Sequence, residues 1–516
     1  MKKFVASLET FCTKTVFLIA TAMFGCLTFW AVKYTHEYQS DLVQEKAFGS
    51  YDSLGPNALT FVLLLVVFFI LQKLLLRGEK EKQRKRVLCF VIVDMVLVGI
   101  WAVIWVAGSH IMPNADQYQV YLTAVDFTKG IFTDMEAYFY MCPQQYGLAF
   151  LYECVLWIWE SYHLMQYINV IFLLMILFFG YKLSEDLFES TRAGLYTVLV
   201  MNLFVPLFLY VNFVYGELCT TAMSLCSAWA VLRWMQKGKK RYVVTAVIAM
   251  TLAVMVRMNM VIVAIALAIV LLIFTLRNKN WKALVVAALL FIVPFGTIEA
   301  VEFSYELRSG LEVGRGIPTI AVVAMGMQQS WHGAGVYNAY NHQTFWNAGG
   351  GDTDKAAEVA WEYVRGRIGE FKADLPTTRY FYQSKIWEQW NVGSFGSLFM
   401  TNHFESAPFA PTQELYGGEL KYRFLEWVNY YVFVIYLGAT IYSLYGLISQ
   451  KELKKTLLPM VVIGGMIFSL LWEAKPRYVF PYIVMILPAV AMGMHLCHCL
   501  AETILKKVKE KAKWTK

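Results

Sequence analysis

Residues 87–107 read VLCFVIVDMVLVGIWAVIWVA, an apolar run with Asp94 as its single charged residue. About 20 such residues are needed for a helix to cross a hydrocarbon core of about 30 Å. Residues 58–76 form a similar run. The 516-residue chain is 58% hydrophobic and 16% charged, with a mean hydropathy of +0.49, whereas soluble domains carry roughly 25% charged residues. We therefore expect an integral membrane protein and exclude a soluble globular domain.

The net charge of +8 is concentrated in short basic clusters at the ends of apolar runs. This pattern is typical of cytoplasmic loops and not of a nucleic-acid surface. We therefore expect a multi-pass protein of the cell membrane with both termini in the cytoplasm and no nucleic-acid partner. The clusters lie at 77–86, 233–241, 277–282, 450–455 and 506–516.

The alternation of basic clusters and apolar runs predicts about twelve transmembrane helices. The acidic stretch 184–192 is assigned to the cytoplasm by parity. The predicted spans are 11–32, 57–76, 87–107, 164–183, 194–213, 217–235, 241–256, 258–276, 281–297, 427–448, 456–472 and 478–500.

The predicted fold class is an all-α polytopic membrane protein with two long external segments. The first carries juxtamembrane helices and includes a short apolar run, 146–159, that we expect to lie at the membrane interface. The second is expected to form a small cap domain, with a helix at 355–368. The predicted regions are the N-terminal helices 1–107, the external loop 108–163, the central helices 164–297, the cap 298–426, and the C-terminal helices and basic tail 427–516.

Ionisable residues at membrane depth or at its edge are costly, so each needs a partner or a function. Asp116 follows the third predicted span, and its carboxylate can accept a proton from an attacking hydroxyl. The same carboxylate could instead cap a helix predicted at 117–129. The sequence leaves both roles open.

Two further charges lie at predicted outer turns. Glu217 begins the sixth span, where it could also be a helix-start carboxylate held by backbone amides. Arg257 and Asn259 lie between two apolar runs. Arg257 needs a phosphate or a carboxylate, unless its side chain extends to the membrane surface.

The stretch 473–478 reads EAKPRY and joins the last two predicted spans on the outer side, where a cationic cluster contradicts the orientation rule. Arg477 can bind a phosphate with two parallel hydrogen bonds, and Lys475 adds a point charge. The alternative is an ion pair between Glu473 and Arg477 that closes the hairpin. Because all these charges fall on one predicted face, they favour attack on a lipid-phosphate-linked substrate.

These residues resemble the GT-C superfamily of polytopic glycosyltransferases, in particular the bacterial branch related to protein O-mannosyltransferases and the lipid A aminoarabinose transferase. The likeness covers most of the chain from Trp105 onward. It rests on 114–118 (NADQY) with Ala124, Phe127 and Gly130, 142–147 (CPQQYG), 205–206 (VP), 215–217 (YGE), 256–259 (VRMN), 325–327 (MGM) and 473–478 (EAKPRY).

The resemblance implies a membrane glycosyltransferase with a polyprenyl-phosphate sugar as donor and an extracytoplasmic acceptor, working by inverting displacement. It also implies roles for the matched positions. Asp116 is the catalytic base and Glu217 the second acidic position. The donor-phosphate group is Arg477, Lys475, Arg257 and Tyr478, and the substrate-binding group is Gln117, Tyr118, Glu473 and Asn259. Trp331 lies outside the matched motifs and is predicted to bind substrate through its aromatic ring.

Two features depart from the family pattern. Two predicted spans precede the one that feeds the acidic loop, and Gln117 follows Asp116 where protein O-mannosyltransferases have an acidic pair. The second departure leaves the acceptor open.

We expect no cofactor and no essential metal, although Asp116 with Glu217 could hold a divalent cation. The aromatic residues near Trp331 could stack on sugar rings or could form the core of the cap. The alternative functions are a lipid or solute transporter, with Asp94 as its intramembrane charge, and a non-catalytic membrane assembly protein.

Overall fold

The computed structural model describes residues 2–38 and 47–514. Its first part is a pair of long helices joined by a hairpin, followed by a third long helix. Strands β1 and β2 pair antiparallel, with Tyr34 opposite Tyr51. The elements are α1 (Lys2–Lys33), β1 (Tyr34–Tyr38), β2 (Ala47–Tyr51), α2 (Leu54–Leu75) and α3 (Lys80–Ser109).

The first predicted external loop folds into short helices. The predicted helix 117–129 begins two residues earlier, so Asp116 is in its first turn and Asn114 is at the N-cap position. The interpretation of Asp116 as the cap is therefore wrong. At 11 residues, α6 is too short to cross a bilayer. The elements are α4 (Ala115–Thr128), α5 (Tyr138–Met141) and α6 (Tyr146–Leu156).

The central region contains seven helices. The helix that covers the fourth predicted span extends to Phe188, so much of the acidic stretch 184–192 is helical. Its acidic side chains are held by cations, as Glu185 pairs with Arg84 and Asp186 with Arg233. The elements are α7 (Tyr162–Phe188), α8 (Thr191–Leu203), α9 (Val205–Leu209), α10 (Glu217–Lys237), α11 (Lys240–Val256), α12 (Val261–Asn278) and α13 (Lys282–Ser309).

Helix α13 continues past the boundary predicted at residue 298 as far as Ser309, and Gly310 follows it with φ +72°. The long segment between α13 and α20 is therefore 310–418. It contains a second hydrophobic cluster, which includes Ala324, Val364 and Phe381. Its elements are α14 (Thr319–Gly326), α15 (Tyr340–Gln343), α16 (Thr353–Ala373), α17 (Leu375–Trp390), α18 (Ser397–Met400) and α19 (Ala410–Gly417).

The chain ends with α20 (Glu419–Ser449), α21 (Leu457–Leu471) and α22 (Pro476–Trp514). Within the described residues, nine helices are long and apolar enough to cross a membrane. The pair α8 and α9, bent by 67° at its break, makes a tenth if it is one span. The chain is thus an all-α polytopic membrane protein. Helices α10 and α11 cover the remaining two of the twelve predicted spans without meeting the same criterion.

The N-terminal hairpin is attached to the 310–418 segment. The backbone amide of His36 donates to the carbonyl of Asn391 at 2.8 Å, and the Ser394 hydroxyl donates to Glu37 at 2.5 Å. The Trp387 ring on α17 packs edge-on against Trp30, with 5.8 Å between ring centroids. The first helices therefore support the end of α17.

Glycine contacts bring α20 and α22 close together. A Cβ added at Gly493 would lie 2.0 Å from the carbonyl oxygen of Gly438, and one at Gly438 would lie 2.7 Å from Val490 Cγ1. Such spacing allows backbone to approach backbone, as at many helix contacts within membranes. The position of α22, which begins at Pro476, therefore depends on these two glycines.

Gly493→Ala should destabilise the protein by about 1–3 kcal/mol because the added methyl group forces α20 and α22 apart. The matched control is Gly366→Ala, in the middle of α16, where an added Cβ meets nothing within 4 Å. That change should stabilise its helix by roughly 0.5–1 kcal/mol. Thermal unfolding of the two variants in the same detergent tests whether Gly493→Ala lowers the melting temperature and Gly366→Ala raises it. Equal melting temperatures of the two variants would contradict the packing argument.

Candidate active site

Tyr215 lies at the centre of the polar cluster between α9 and α10. Its hydroxyl accepts a hydrogen bond from Gln145 at 2.8 Å, and its carbonyl accepts one from Arg257 at 2.8 Å. The guanidinium carbons of Arg257 and Arg477 lie 4.1 and 4.9 Å from the centroid of its ring. Two cations therefore interact with one aromatic ring, an attractive arrangement that is stronger when the groups are desolvated. We call Tyr215, Glu217, Arg257 and Arg477 the arginine cluster.

Backbone conformation places Tyr215 and Glu217 on either side of a left-handed residue. Gly216 has φ +96°, and a Cβ there would lie 2.4 Å from Val256 Cγ1. Only glycine adopts such a conformation at little cost, and here the space also requires it. The turn lets the Tyr215 ring and the Glu217 carboxylate both reach Arg257.

Glu217 and Arg257 form an ion pair. The distance from Glu217 Oε1 to Arg257 Nη2 is 2.7 Å, and the Glu217 side chain is almost fully buried. Its second oxygen, Oε2, has no hydrogen-bond partner among the described residues. Glu217 is also the first residue of α10, so the helix-start position and the ion pair occur together, and Arg257 has the carboxylate partner that the sequence led us to expect.

Arg477 differs from Arg257 in having no carboxylate partner. It begins α22 and is only 6% exposed. Its Nη2 lies 3.5 Å from the Tyr478 hydroxyl, its Nε has no hydrogen-bond partner, and no carboxylate among the described residues lies within ion-pair distance. A buried guanidinium in this state is costly unless an anion joins it.

The turn before α22 supplies a second pair of charges. Lys475 Nζ lies 3.6 Å from Glu473 Oε1, and the Tyr478 hydroxyl donates to Glu473 Oε2 at 3.1 Å. The alternative ion pair between Glu473 and Arg477 is therefore wrong, since Glu473 pairs with Lys475.

Asp116 is exposed in the first turn of α4. The preceding Ala115 has φ +45°, a conformation that costs about 1 kcal/mol or more in a residue with a Cβ. The charge of Asp116 acts on the arginine cluster through Tyr215. Burial raises the pKa of the Tyr215 hydroxyl well above its usual value, and the negative charge of Asp116 raises it further, whereas the positive charges of Arg257 and Arg477 lower it. Asp116 is therefore near the cluster but open to solvent.

The charge of Asp116 also shifts the pKa of two groups that the sequence did not single out as site residues. Burial raises the pKa of Cys142 to about 12, and the charge of Asp116 acts in the same direction. Burial lowers the pKa of His342, while Asp116 and Glu473 act to raise it. His342 comes from α15, more than two hundred residues from Asp116, so no spacing in the sequence connects them.

The other predicted substrate-binding residues divide into two groups. The side chains of Gln117 and Asn259 make hydrogen bonds within the protein. Gln117 accepts one from the Val214 amide at 3.1 Å, and Asn259 donates one to the Tyr482 hydroxyl at 3.1 Å. Tyr118 is 37% exposed and Trp331 is 61% exposed. The Trp331 ring contacts that of the neighbouring His332 in a tilted arrangement, with 3.8 Å between ring centroids.

Asp94, the residue that a transporter would use, is bonded within the helix bundle. It accepts a hydrogen bond from Asn202 at 2.7 Å. Within the described residues, no group of three or more histidine, cysteine, aspartate or glutamate side chains is arranged to hold a metal ion.

A family model described as dolichyl-phosphate-mannose-protein mannosyltransferase matches residues 148–297 of this chain. The matched part runs from α6 to the middle of α13 and includes Tyr215, Glu217 and Arg257. No curated protein matches the chain. Over this part the chain is similar to a family of membrane glycosyltransferases that use polyprenyl-phosphate sugar donors.

Proposed function

We propose that this protein transfers a sugar from a polyprenyl phosphate to an extracytoplasmic acceptor, with inversion at the anomeric carbon. The observation that carries the proposal is the buried Arg477, which lies against Tyr215 without a carboxylate partner. The residues matched by the family model add Glu217 and Arg257 to the same cluster. We place this site at the outer face of the cell membrane, with both termini in the cytoplasm.

The charge of the cluster fits a phosphodiester. A polyprenyl-phosphate sugar carries one negative charge on its phosphate, and Arg477 is a buried cation with no carboxylate of the described residues within ion-pair distance. Arg477 offers the planar donor pair that phosphate accepts, with Lys475 beside it as a point charge. One phosphate therefore leaves the arginine cluster and the adjoining Glu473–Lys475 pair close to neutral.

The reaction adds one negative charge to this phosphate. An acceptor hydroxyl forms a bond to the anomeric carbon, and the bond from that carbon to the phosphate oxygen breaks. Its electron pair leaves with the polyprenyl phosphate, which becomes a dianion, while Asp116 takes the hydroxyl proton. Fixed cations in a site with little water stabilise such developing charge strongly. Arg477 and Lys475 therefore stabilise the transition state more than they stabilise the bound donor.

The exposure of Asp116 fits its role as the base. A base that meets a polar acceptor must be reachable from water, and Asp116 is exposed at the start of α4. A transporter would need an ionisable group in an open pathway, whereas Asp94 is bonded to Asn202. No observation favours a non-catalytic assembly protein over these two functions.

Asp116→Asn should lower sugar transfer by about a hundredfold to ten-thousandfold, because the amide cannot take the acceptor proton. Folding should be unchanged, since the side chain is exposed. The assay uses purified protein in nanodiscs with membrane extract as the source of donor and acceptor, and mass spectrometry detects the added sugar. Asp126→Asn, on the same helix, is the matched control and should keep full activity.

Arg477→Gln should lower turnover by about a hundredfold or more through the loss of transition-state charge stabilisation. Arg423→Gln is the control, because Arg423 lies exposed in the first turns of α20 and pairs only with the equally exposed Glu419. Transfer by the two variants is compared at saturating donor. Wild-type turnover in Arg477→Gln would remove the main support for the proposed function.

A further inference from the structure

The last turn of α17 is bonded to the end of α21. Gln389 donates to the Ser469 carbonyl at 3.2 Å, and the Trp390 indole donates to the Ser469 hydroxyl at 2.9 Å. Lys385, one turn earlier, donates to the Leu470 carbonyl at 3.0 Å. Helix α21 ends at Leu471, so these bonds hold the point from which the Glu473 turn begins.

The Lys385 ammonium also bonds the carbonyl of Gly326, the last residue of α14. Lys385 is fully buried, and no carboxylate among the described residues lies within ion-pair distance of its ammonium group. Lys385 therefore joins the C-terminal ends of two helices, where carbonyls lack helical partners and the helix dipole favours a cation.

The segment 471–475 rests directly on the part of the chain that Lys385 holds. The Ala474 amide donates to the Gly335 carbonyl at 2.7 Å. A Cβ at Gly326 would lie 2.7 Å from the carbonyl oxygens of Leu471 and Trp472. Movement of α14 or of the end of α21 would therefore move the chain that carries Glu473 and Lys475.

A role in stability alone does not account for this lysine. Burial lowers the pKa of Lys385 to about 7, with Glu473 and Glu388 acting in the opposite direction. Between this pKa and the usual value near 10.5, the unfolded chain binds one more proton than the folded chain. Stability therefore falls as the pH drops through this window, and at neutral pH the lysine costs free energy.

We propose that Lys385 is a positioning residue that fixes the 471–477 segment, and through it Lys475 and Arg477, relative to the rest of the site. The functional part rests on the proposed function, whereas the structural part does not. Lys385 touches neither the arginine cluster nor Asp116 in any described contact, so its effect on the site passes through the two helix ends.

The structural part is tested by hydrogen exchange in nanodiscs. Lys385→Met fills the same space without a donor, so the amides of 471–475 should exchange about tenfold to a hundredfold faster, the opening expected when charge-assisted hydrogen bonds are lost. Lys372→Met, at an exposed lysine on α16, is the control and should leave these amides unchanged. Unchanged exchange in Lys385→Met, with or without a lower melting temperature, overturns the proposal.

The pH dependence separates this role from simple packing. After correction for intrinsic rates, wild-type exchange at 471–475 should fall between pH 6 and pH 8.5, because loss of the proton removes the cost of burying the charge while the neutral amine still donates to both carbonyls. The charged groups that act on Lys385 are Glu388 on its own helix and Glu473 in the adjoining turn. Lys385→Met should show no such fall, and an equal fall in both proteins contradicts the assignment.

The functional part is tested by steady-state kinetics on the same samples. Lys385→Met should raise the KM for the lipid-linked donor about tenfold, with a smaller change in kcat. Faster exchange with unchanged kinetics overturns the functional part alone. Faster exchange in a protein whose wild type transfers no sugar supports the positioning role and removes the proposed function.

Discussion

Two guanidinium groups lie on the ring of Tyr215, and only one of them has a carboxylate. Glu217 neutralises Arg257 at 2.7 Å, while Arg477 lies 4.9 Å from the centroid of the ring and is almost as buried as Glu217. Protein interiors rarely leave a buried charge in this state, because desolvation costs several kcal/mol per ion. The neighbouring structure must therefore hold Arg477 in place against this cost.

Support for this arrangement comes from segments far apart in the chain. Gln145 holds the Tyr215 hydroxyl, and Gln117 holds the amide of Val214 just before it. Glycine contacts with α20 fix α22, which carries Arg477. On the opposite side, the N-terminal hairpin contacts α17, and α17 contacts the end of α21. The two helices that precede the family-like region thus acquire a structural role, since they support the turn before α22.

The helical membrane architecture could be predicted from apolar runs and basic clusters, because both depend on local composition. The ends of the helices could not: α13 continues past residue 297 although Pro294 lies inside it, and it ends only before Gly310. Asp116, Glu217, Arg257 and Arg477 were all predicted as site residues, because charges in apolar surroundings stand out. Their pairing was harder, and Glu473 was matched with Arg477 when its partner is Lys475. Lys385 and His342 could not be identified from the sequence, because their surroundings are formed by contacts between residues far apart in the chain.

The exposure of the two main groups differs in a way that suits two dissimilar substrates. Asp116 is open to solvent, whereas Arg477 is 6% exposed and lies at the start of a membrane helix. A polar acceptor approaches from water, so the exposed proposed base suits it, whereas the proposed phosphate site is largely shielded from water. Water near Arg477 would weaken its attraction for the leaving phosphate, because that interaction depends on a low local dielectric. In the proposed reaction, this arrangement would keep water away from the charge that develops on the leaving group and leave Asp116 reachable by the acceptor.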